Sequence, residues 1–397
     1  MFPRLRRLFL PAKRLGLVAF AFDASASCVL LVVQFRAIEL GASPLQLGLI
    51  GTLTSLTGML ASLAGGVASD RLGRRAVEVV AFAFSLGSWW LMSAASSTGQ
   101  LLCLAAMAGV GLGLTWAPLA AWMGDLSGGK ERLLSRYLGY YNIGWSAGLM
   151  VGPLLAGWLW DNARHLAFAV PLSVAAACLC IVLGTPTATA VTPTTAGERS
   201  VSRDVVVLFL LMAWVGGFAA SFGRGLVGAL FPRLGHDLGY SALTVGKVMF
   251  AAACGQVAAF IATRLTTRWQ HRSAVQLLTM LLGAVAMAIA TGTESPWVFA
   301  GCFAVMGAAV AITYAAGMLA AIQATDRPGR LAGTMEAVLS AGLVVGPYLG
   351  GTVSQTWGLR ASLPLAGAIY LLALMAQVAL LVRHHAQRQP ADGPAPR

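Results

Sequence analysis

Long, nearly charge-free stretches recur along the chain from Leu15 to Val382, separated by short polar breaks. Each holds about 20 residues or more, enough for a helix rising 1.5 Å per residue to cross a hydrocarbon core of about 30 Å. A helix also satisfies its own backbone N–H and C=O groups, as lipid requires. The pattern predicts helices over 15–36, 45–68, 77–96, 100–124, 134–158, 165–184, 206–231, 242–263, 273–292, 296–323, 331–353 and 361–382. Most breaks are short. The exception is 185–204, "TPTATAVTPTTAGERSVSRD", whose Pro, Thr and charge predict a solvated linker between a half at 1–184 and a half at 205–382, with a tail at 383–397.

The two halves repeat. "LGASPLQLG" at 40–48 aligns with "LGYSALTVG" at 238–246, and "TWAP" at 115–118 with "TYAA" at 313–316, both at an offset of 198. The fifth predicted helix reads Gly139, Gly148, Gly152-Pro153, Ala156-Gly157. The eleventh reads Gly333, Gly342, Gly346-Pro347, Gly350-Gly351, at an offset of 194 because the preceding loop is four residues shorter. The expected fold is an all-α polytopic membrane protein of twelve transmembrane helices in two pseudo-symmetric halves. Repeated transporter folds hold substrate near the midplane between such halves.

Composition changes this picture little. The chain is 58% hydrophobic and 10% charged, against about 25% charged in a soluble domain. A net charge of +13 raises the question of nucleic acid, and its distribution answers it. Of 27 Lys and Arg, 21 fall at the N-terminus, in the even-to-odd loops with their flanks, and in the tail; Arg36, Arg164, Arg233 and Arg360 fall on the other side, and Arg224 and Lys247 within spans. The positive-inside rule accounts for that bias, with both termini and the linker cytoplasmic in a cell membrane, most simply a bacterial inner membrane, and with no nucleic-acid partner. The basic, apolar N-terminus looks like a signal peptide, but Asp23 interrupts its core, so an uncleaved first span is expected. The six cysteines sit in apolar stretches as packing residues, and the histidines show no metal-ligand spacing. No catalytic constellation, cofactor or metal site is expected, and a monomer in the bilayer is.

One polar break stands out. "GVASDRLGRR" at 66–75 matches the cytoplasmic G-x-x-x-D-R-x-G-R-R signature of the major facilitator superfamily, and the chain resembles that superfamily over about 15–382. The Gly-Pro pattern of the fifth helix resembles the motif of its drug/proton antiporter branch, departing at Ala156, where Gly is usual. The second half keeps only "RLTTRWQHR" at 264–272, without the aspartate. The resemblance implies a latch of Gly66, Asp70, Arg71, Gly73, Arg74 and Arg75. Asp70 would face the start of the eleventh helix, and Arg74 would bond acids including Glu336, favouring an outward-open state. The plainer alternative is a basic loop that only fixes topology.

Charges inside the spans carry the candidate chemistry. Asp23 lies near mid-depth, where an acid costs about 2.5–3.5 kcal/mol on an insertion scale and usually faces a cavity. Arg224, in "FGRGLVG", corresponds under the repeat to Ala26, one turn from Asp23. The two are expected to face each other as a proton and substrate site, the alternative being a structural ion pair or a snorkelling arginine. Many proton-coupled relatives carry an arginine in the fourth helix; "MAGVGLGLTWAP" at 107–118 has none, which leaves Asp23 as the leading proton site. Trp116 and Tyr314, at equivalent places on the fourth and tenth helices, are expected to line the cavity; Tyr140, Tyr141, Asn142 and Trp145 are further candidates, with an interfacial role open for Tyr140 and Tyr141. The leading functional expectation is proton-coupled efflux of a small amphiphilic molecule. The alternatives are a symporter or facilitator for a small polar or anionic nutrient, and a transporter-like membrane sensor.

Overall fold

The structure, a computed structural model, describes residues 2–128, 130–187, 203–324 and 328–388. Most of the expected linker, 188–202, and positions 389–397 of the tail lie outside the described residues. The described chain forms α1 (Phe2–Glu39), α2 (Pro44–Leu72), α3 (Arg74–Ser93), α4 (Thr98–Leu126), α5 (Glu131–Asn162), α6 (Ala169–Leu183), α7 (Arg203–Asp237), α8 (Ala242–Leu265), α9 (Ser273–Gly292), α10 (Pro296–Ala324), α11 (Pro328–Trp357) and α12 (Ser362–Arg388), with no strand among the described residues. Among the described residues, twelve helices are long and apolar enough to span a bilayer. Most outrun the hydropathy pattern: α7 runs to Asp237 rather than 231 and α12 to Arg388 rather than 382. Hydropathy marks the hydrocarbon layer, whereas helical hydrogen bonding continues into the wet interface. The ninth helix coincides with the pattern, the third is shifted three residues earlier, and the sixth span starts with a single 3₁₀ turn at Arg164–Leu166 before α6.

The even number of crossings puts both chain ends on one face, called here the terminal face; the α1–α2 and α7–α8 turns lie on the far face. Those two turns are built alike. Gly41 and Gly239 both take φ +76°, a left-handed conformation that glycine adopts without steric cost, and Ser43 and Ser241 then cap the next helix.

The repeat extends to backbone contacts. A methyl group on Gly148 of α5 would meet the Phe20 carbonyl oxygen of α1 at 2.5 Å and the Ala24 nitrogen at 2.8 Å. One on Gly342 of α11 would meet the Phe218 carbonyl oxygen of α7 at 2.5 Å and the Phe222 nitrogen at 2.9 Å. Phe20 and Ala24 become Phe218 and Phe222 under the offset of 198. Small residues thus bring α1 onto α5 and α7 onto α11 at backbone distance, the packing that lipid favours because apolar burial alone cannot drive helices together there.

The halves meet along two seams, α2 with α11 and α5 with α8. On the far side of the membrane both are tight. Gly48 abuts the Pro347 carbonyl and Gly246 the Pro153 carbonyl, while Gly351 lies against Pro44 and Gly157 against Ala242 and Leu243. Thr52 Oγ1 donates to the Val344 carbonyl at 3.0 Å across the α2–α11 seam. Toward the terminal face that seam parts. The α2 face carrying Leu45, Gly48 and Thr52 continues through Leu63, 63% exposed, and Gly66, where an added methyl group would meet nothing within 4 Å, to Asp70, whose side chain is 67% exposed. The molecule is closed at the far face and open toward the terminal face.

Candidate functional site

Between the halves, enclosed by the closed ends of the seams, lies a cavity of about 370 Å³. α1 contributes Asp23 and α7 contributes Ser221 and Arg224; under the offset of 198, Ser221 is the repeat mate of Asp23. Arg224 donates from Nη1 to Gln256 Oε1 at 2.9 Å. Asp23 and Arg224 line the same cavity, but no hydrogen bond or ion pair joins them, and Asp23 Oδ2 is buried without a hydrogen-bond partner. The expected pair thus faces the same cavity without forming a bridge. A bridged pair would neutralise itself; an unbridged one keeps an acceptor and a fixed cation available to a proton or a ligand.

Trp116 and Tyr314 line the same cavity, as does Tyr141, whose hydroxyl donates to the Trp116 carbonyl at 3.3 Å. Tyr140 instead receives a bond from Arg136 Nε at 3.0 Å. Trp145 of α5 meets Phe260 of α8 edge-on across the seam, centroids 6.3 Å apart, and Phe260 meets Tyr314 edge-on at 6.0 Å. Tyr314 donates its hydroxyl to Glu336 Oε1 at 2.9 Å. Asn142, the repeat mate of Glu336, accepts from Trp145 Nε1 at 3.1 Å. The wall is therefore an aromatic band carrying one acid, Glu336, toward the terminal opening, with the Asp23 carboxyl and the Arg224 guanidinium deeper.

A family model described as the Major Facilitator Superfamily matches residues 15–219 and 213–397. The chain belongs to that superfamily. It is 24% identical over 301 residues to the class B tetracycline resistance protein of Escherichia coli, covering 72% of this chain and 73% of that protein. It is 28% identical over 123 residues to a probable 4-methylmuconolactone transporter of Cupriavidus pinatubonensis, covering 30% of this chain and 28% of that one. A bacterial homologue of the human lysosomal transporter Spinster, inward-facing and unoccupied, superposes with a TM-score of 0.76 at 13% identity over 98% of this chain and 99% of that one. A nucleoside transporter superposes with a TM-score of 0.70 at 11% identity over 94% and 99% of the two chains. These likenesses establish the fold, and membership makes the chain a membrane transporter rather than an enzyme.

The superfamily signature forms the α2–α3 corner. Gly73, at φ +89°, ends α2 and starts α3 with no further residue between them. Arg74 bonds Asp70 one turn earlier, Ser69 Oγ at 2.7 Å, and Asp125 Oδ2 at the end of α4 at 3.0 Å. Arg75 donates to the Thr185 carbonyl beyond α6, and Arg71 is exposed. The structure does not bring the signature to Glu336: Arg74 pairs within its own half, and Glu336 lies with Tyr314 in the cavity wall. The physical reason is the parted seam, which leaves Asp70 in the open. Gly66 faces that opening too, while the adjacent Gly65 is the one packed on Leu114 of α4.

Several participants escaped sequence reasoning. Gln256 is a lone amide in "AAACGQVAAF" and Phe260 one apolar residue among many; the repeat places Gln256 opposite Gly58, a polar-for-glycine exchange that marks it out. Asp125 sits near a span end and reads as a loop charge until Arg74 is found against it. Glu78 of α3 is fully buried, and neither carboxyl oxygen has a hydrogen-bond partner. Its repeat mate Gln276 is also buried, 2% exposed, with both side-chain polar atoms unpartnered. A polar residue at one place in both halves was the available signal.

Proposed function

We propose that this transporter exports a small amphiphilic molecule in exchange for protons, by alternating access, from a cytoplasm that lies on the terminal face. The reading rests above all on one observation: a mid-membrane cavity between the halves holds an acid with an unpartnered oxygen, Asp23, opposite the fixed cation Arg224. The aromatic band of Trp116, Tyr141, Trp145, Phe260 and Tyr314 suits the apolar body of such a substrate. Asp23 takes the role of the proton site. Proton and substrate compete for the charge balance around it, so that loading one favours release of the other as access changes sides. The lysine and arginine bias supports a cytoplasmic terminal face, and the 24% identity to a tetracycline resistance protein supports efflux. Domain limits at 1–184 and 205–382, an inner-membrane location and a monomeric state belong to the same proposal.

Purified protein in liposomes tests it, with a panel of amphiphilic substrates and an imposed pH difference. Wild type should accumulate substrate against its gradient. Asp23→Asn should lose that accumulation while retaining exchange or binding of a neutral substrate. Undiminished accumulation by Asp23→Asn would refute the role given to Asp23.

A second reading is favoured by the Arg224–Gln256 bond, which presents a guanidinium with free donors to the cavity: uptake of a small polar or anionic nutrient. Proton flux on adding substrate separates the two. Antiport moves protons opposite to the substrate and symport moves them with it.

A further inference from the structure

The far-face closure is fastened by a charge on one seam only. Asp161 stands at the end of α5, in the first half. Its Oδ1 accepts the Ala242 N–H at 3.1 Å and its Oδ2 the Leu243 N–H at 2.8 Å, both at the start of α8 in the second half. A helix leaves its first four N–H groups without intrahelical partners, and its N-terminus carries a partial positive charge. Ser241 satisfies the Thr244 N–H from within α8. The two before it are satisfied from across the seam. Immediately inside, the α5 backbone at Gly157 presses on Ala242 and Leu243.

The repeat mate of this corner lacks the device. Under the offset of 194, Asp161 corresponds to Gln355, which is exposed and makes no hydrogen bond. Under the offset of 198, Ala242 corresponds to Pro44, which has no N–H to give, and α2 is capped by its own Ser43–Gln46 box. The pseudo-symmetry that governs the glycine contacts is broken at this one ionic fastener.

We propose that Asp161 is the outer lock of the transport cycle: its two bonds to the start of α8 hold the far face shut in the conformation described, and they must break for the cavity to open there. The inference builds on alternating access and is independent of substrate and of proton coupling. Asp161 is not among the residues lining the central cavity; it sits at the far face, beside a separate cleft that Trp160 and Ala242 also line, so its role is to position α5 against α8.

Distances across each face test it without any substrate. In a background without reactive cysteines, one spin-label pair at Ser96 and Gly292 spans the far face. A second at Lys130 and Arg268 spans the terminal face. In liposomes, Asp161→Ala should raise the far-open to far-closed ratio by about tenfold or more, the loss expected when two hydrogen bonds to a charge are removed. The far-face distance should lengthen as the terminal-face distance shortens. Asp161→Glu should return part of the closed population. Ala242→Pro leaves the carboxylate intact, removes one donor and copies Pro44; Ser241 already has the extended backbone that precedes proline, at φ −65° and ψ 156°, close to Ser43 at φ −70° and ψ 159°. It should shift the ratio in the same direction by less, and it decides the matter alone if Asp161→Ala does not accumulate. Unchanged distributions in the variants, or broadening of both faces together, would overturn the proposal. Absence of pH-driven transport in wild type, alongside the predicted shift in the variants, would leave the lock standing and count against the proton-antiport reading instead.

Discussion

At Gly148 of α5 any side chain would run into the backbone of α1. Gly148→Ala would place a methyl carbon 2.5 Å from the Phe20 carbonyl oxygen and 2.8 Å from both the Ala24 nitrogen and Asp23 Cβ, where ordinary contact begins near 3.4 Å. The nearest obstacle is backbone, so no side-chain rotation relieves it. α5 must retreat from α1 by about 0.9 Å at that point, and a gap of 0.5–1 Å forfeits a quarter to a half of each dispersion contact it opens. Overpacking of this kind costs about 1–3 kcal/mol, against a gain of at most about 1 kcal/mol from alanine's better helix propensity. The net expectation is a loss of about 1–2 kcal/mol. Gly342→Ala should match it, because its obstacles are the repeat-related ones at 2.5 and 2.9 Å. Gly139→Ala and Gly333→Ala are the controls: the added methyl group meets nothing within 4 Å at either position, so both should be neutral or slightly stabilising. Thermal unfolding in detergent at one fixed scan rate gives the order. Gly148→Ala and Gly342→Ala should melt below wild type and the controls at or above it. If Gly148→Ala melts at or above wild type, the backbone approach of α1 and α5 is wrong.

The corner ion pair makes a second prediction: Asp125→Asn strips a charged partner from Arg74 and should cost about 2 kcal/mol of stability, partly recovered in the Asp125→Asn, Arg74→Gln double variant, as read by the same melts. Asp70→Asn should fold normally, since its side chain is 67% exposed here, yet turn over more slowly in vesicles; wild-type turnover would reduce the signature to a topology signal. Gln256→Leu frees the Arg224 guanidinium from its 2.9 Å bond and should change apparent substrate affinity severalfold with expression unaltered; an unchanged KM would place Arg224 outside the binding surface.

The fold was largely legible because lipid restricts the choice. Only helices satisfy a single backbone segment in hydrocarbon, so apolar run length predicts span number, and equal spacing of glycines in two places predicts the repeat. Span ends were less legible: the Ser241 cap and the continuation of α7 to Asp237 depend on interfacial hydrogen bonds that hydropathy does not register. At the site, Asp23, Arg224, Trp116 and Tyr314 could be gathered from charge and from the repeat, and the cavity is lined by all four. Gln256 and Glu78 were missed although comparing the two halves flags both, and Phe260 gains meaning only from the rings beside it in space. The pairing of Arg74 with Glu336 was expected from resemblance. It requires the α2–α11 seam to be shut at the terminal face, and a sequence does not state which conformation is adopted.

The Thr52–Val344 bond has a mechanical consequence. It ties α2 to α11 where the halves are still in contact, and Asp70 lies on the same continuous helix. Eighteen residues separate Thr52 from Asp70, a lever arm of about 27 Å at 1.5 Å per residue. Rotating α2 by about 10° about such a fulcrum swings its free end through about 5 Å, the rise of one helical turn. Leverage of this order lets a change of side-chain size near Thr52, where the displacement itself is only tenths of an ångström, decide whether charges at the other surface of the membrane come within bonding range.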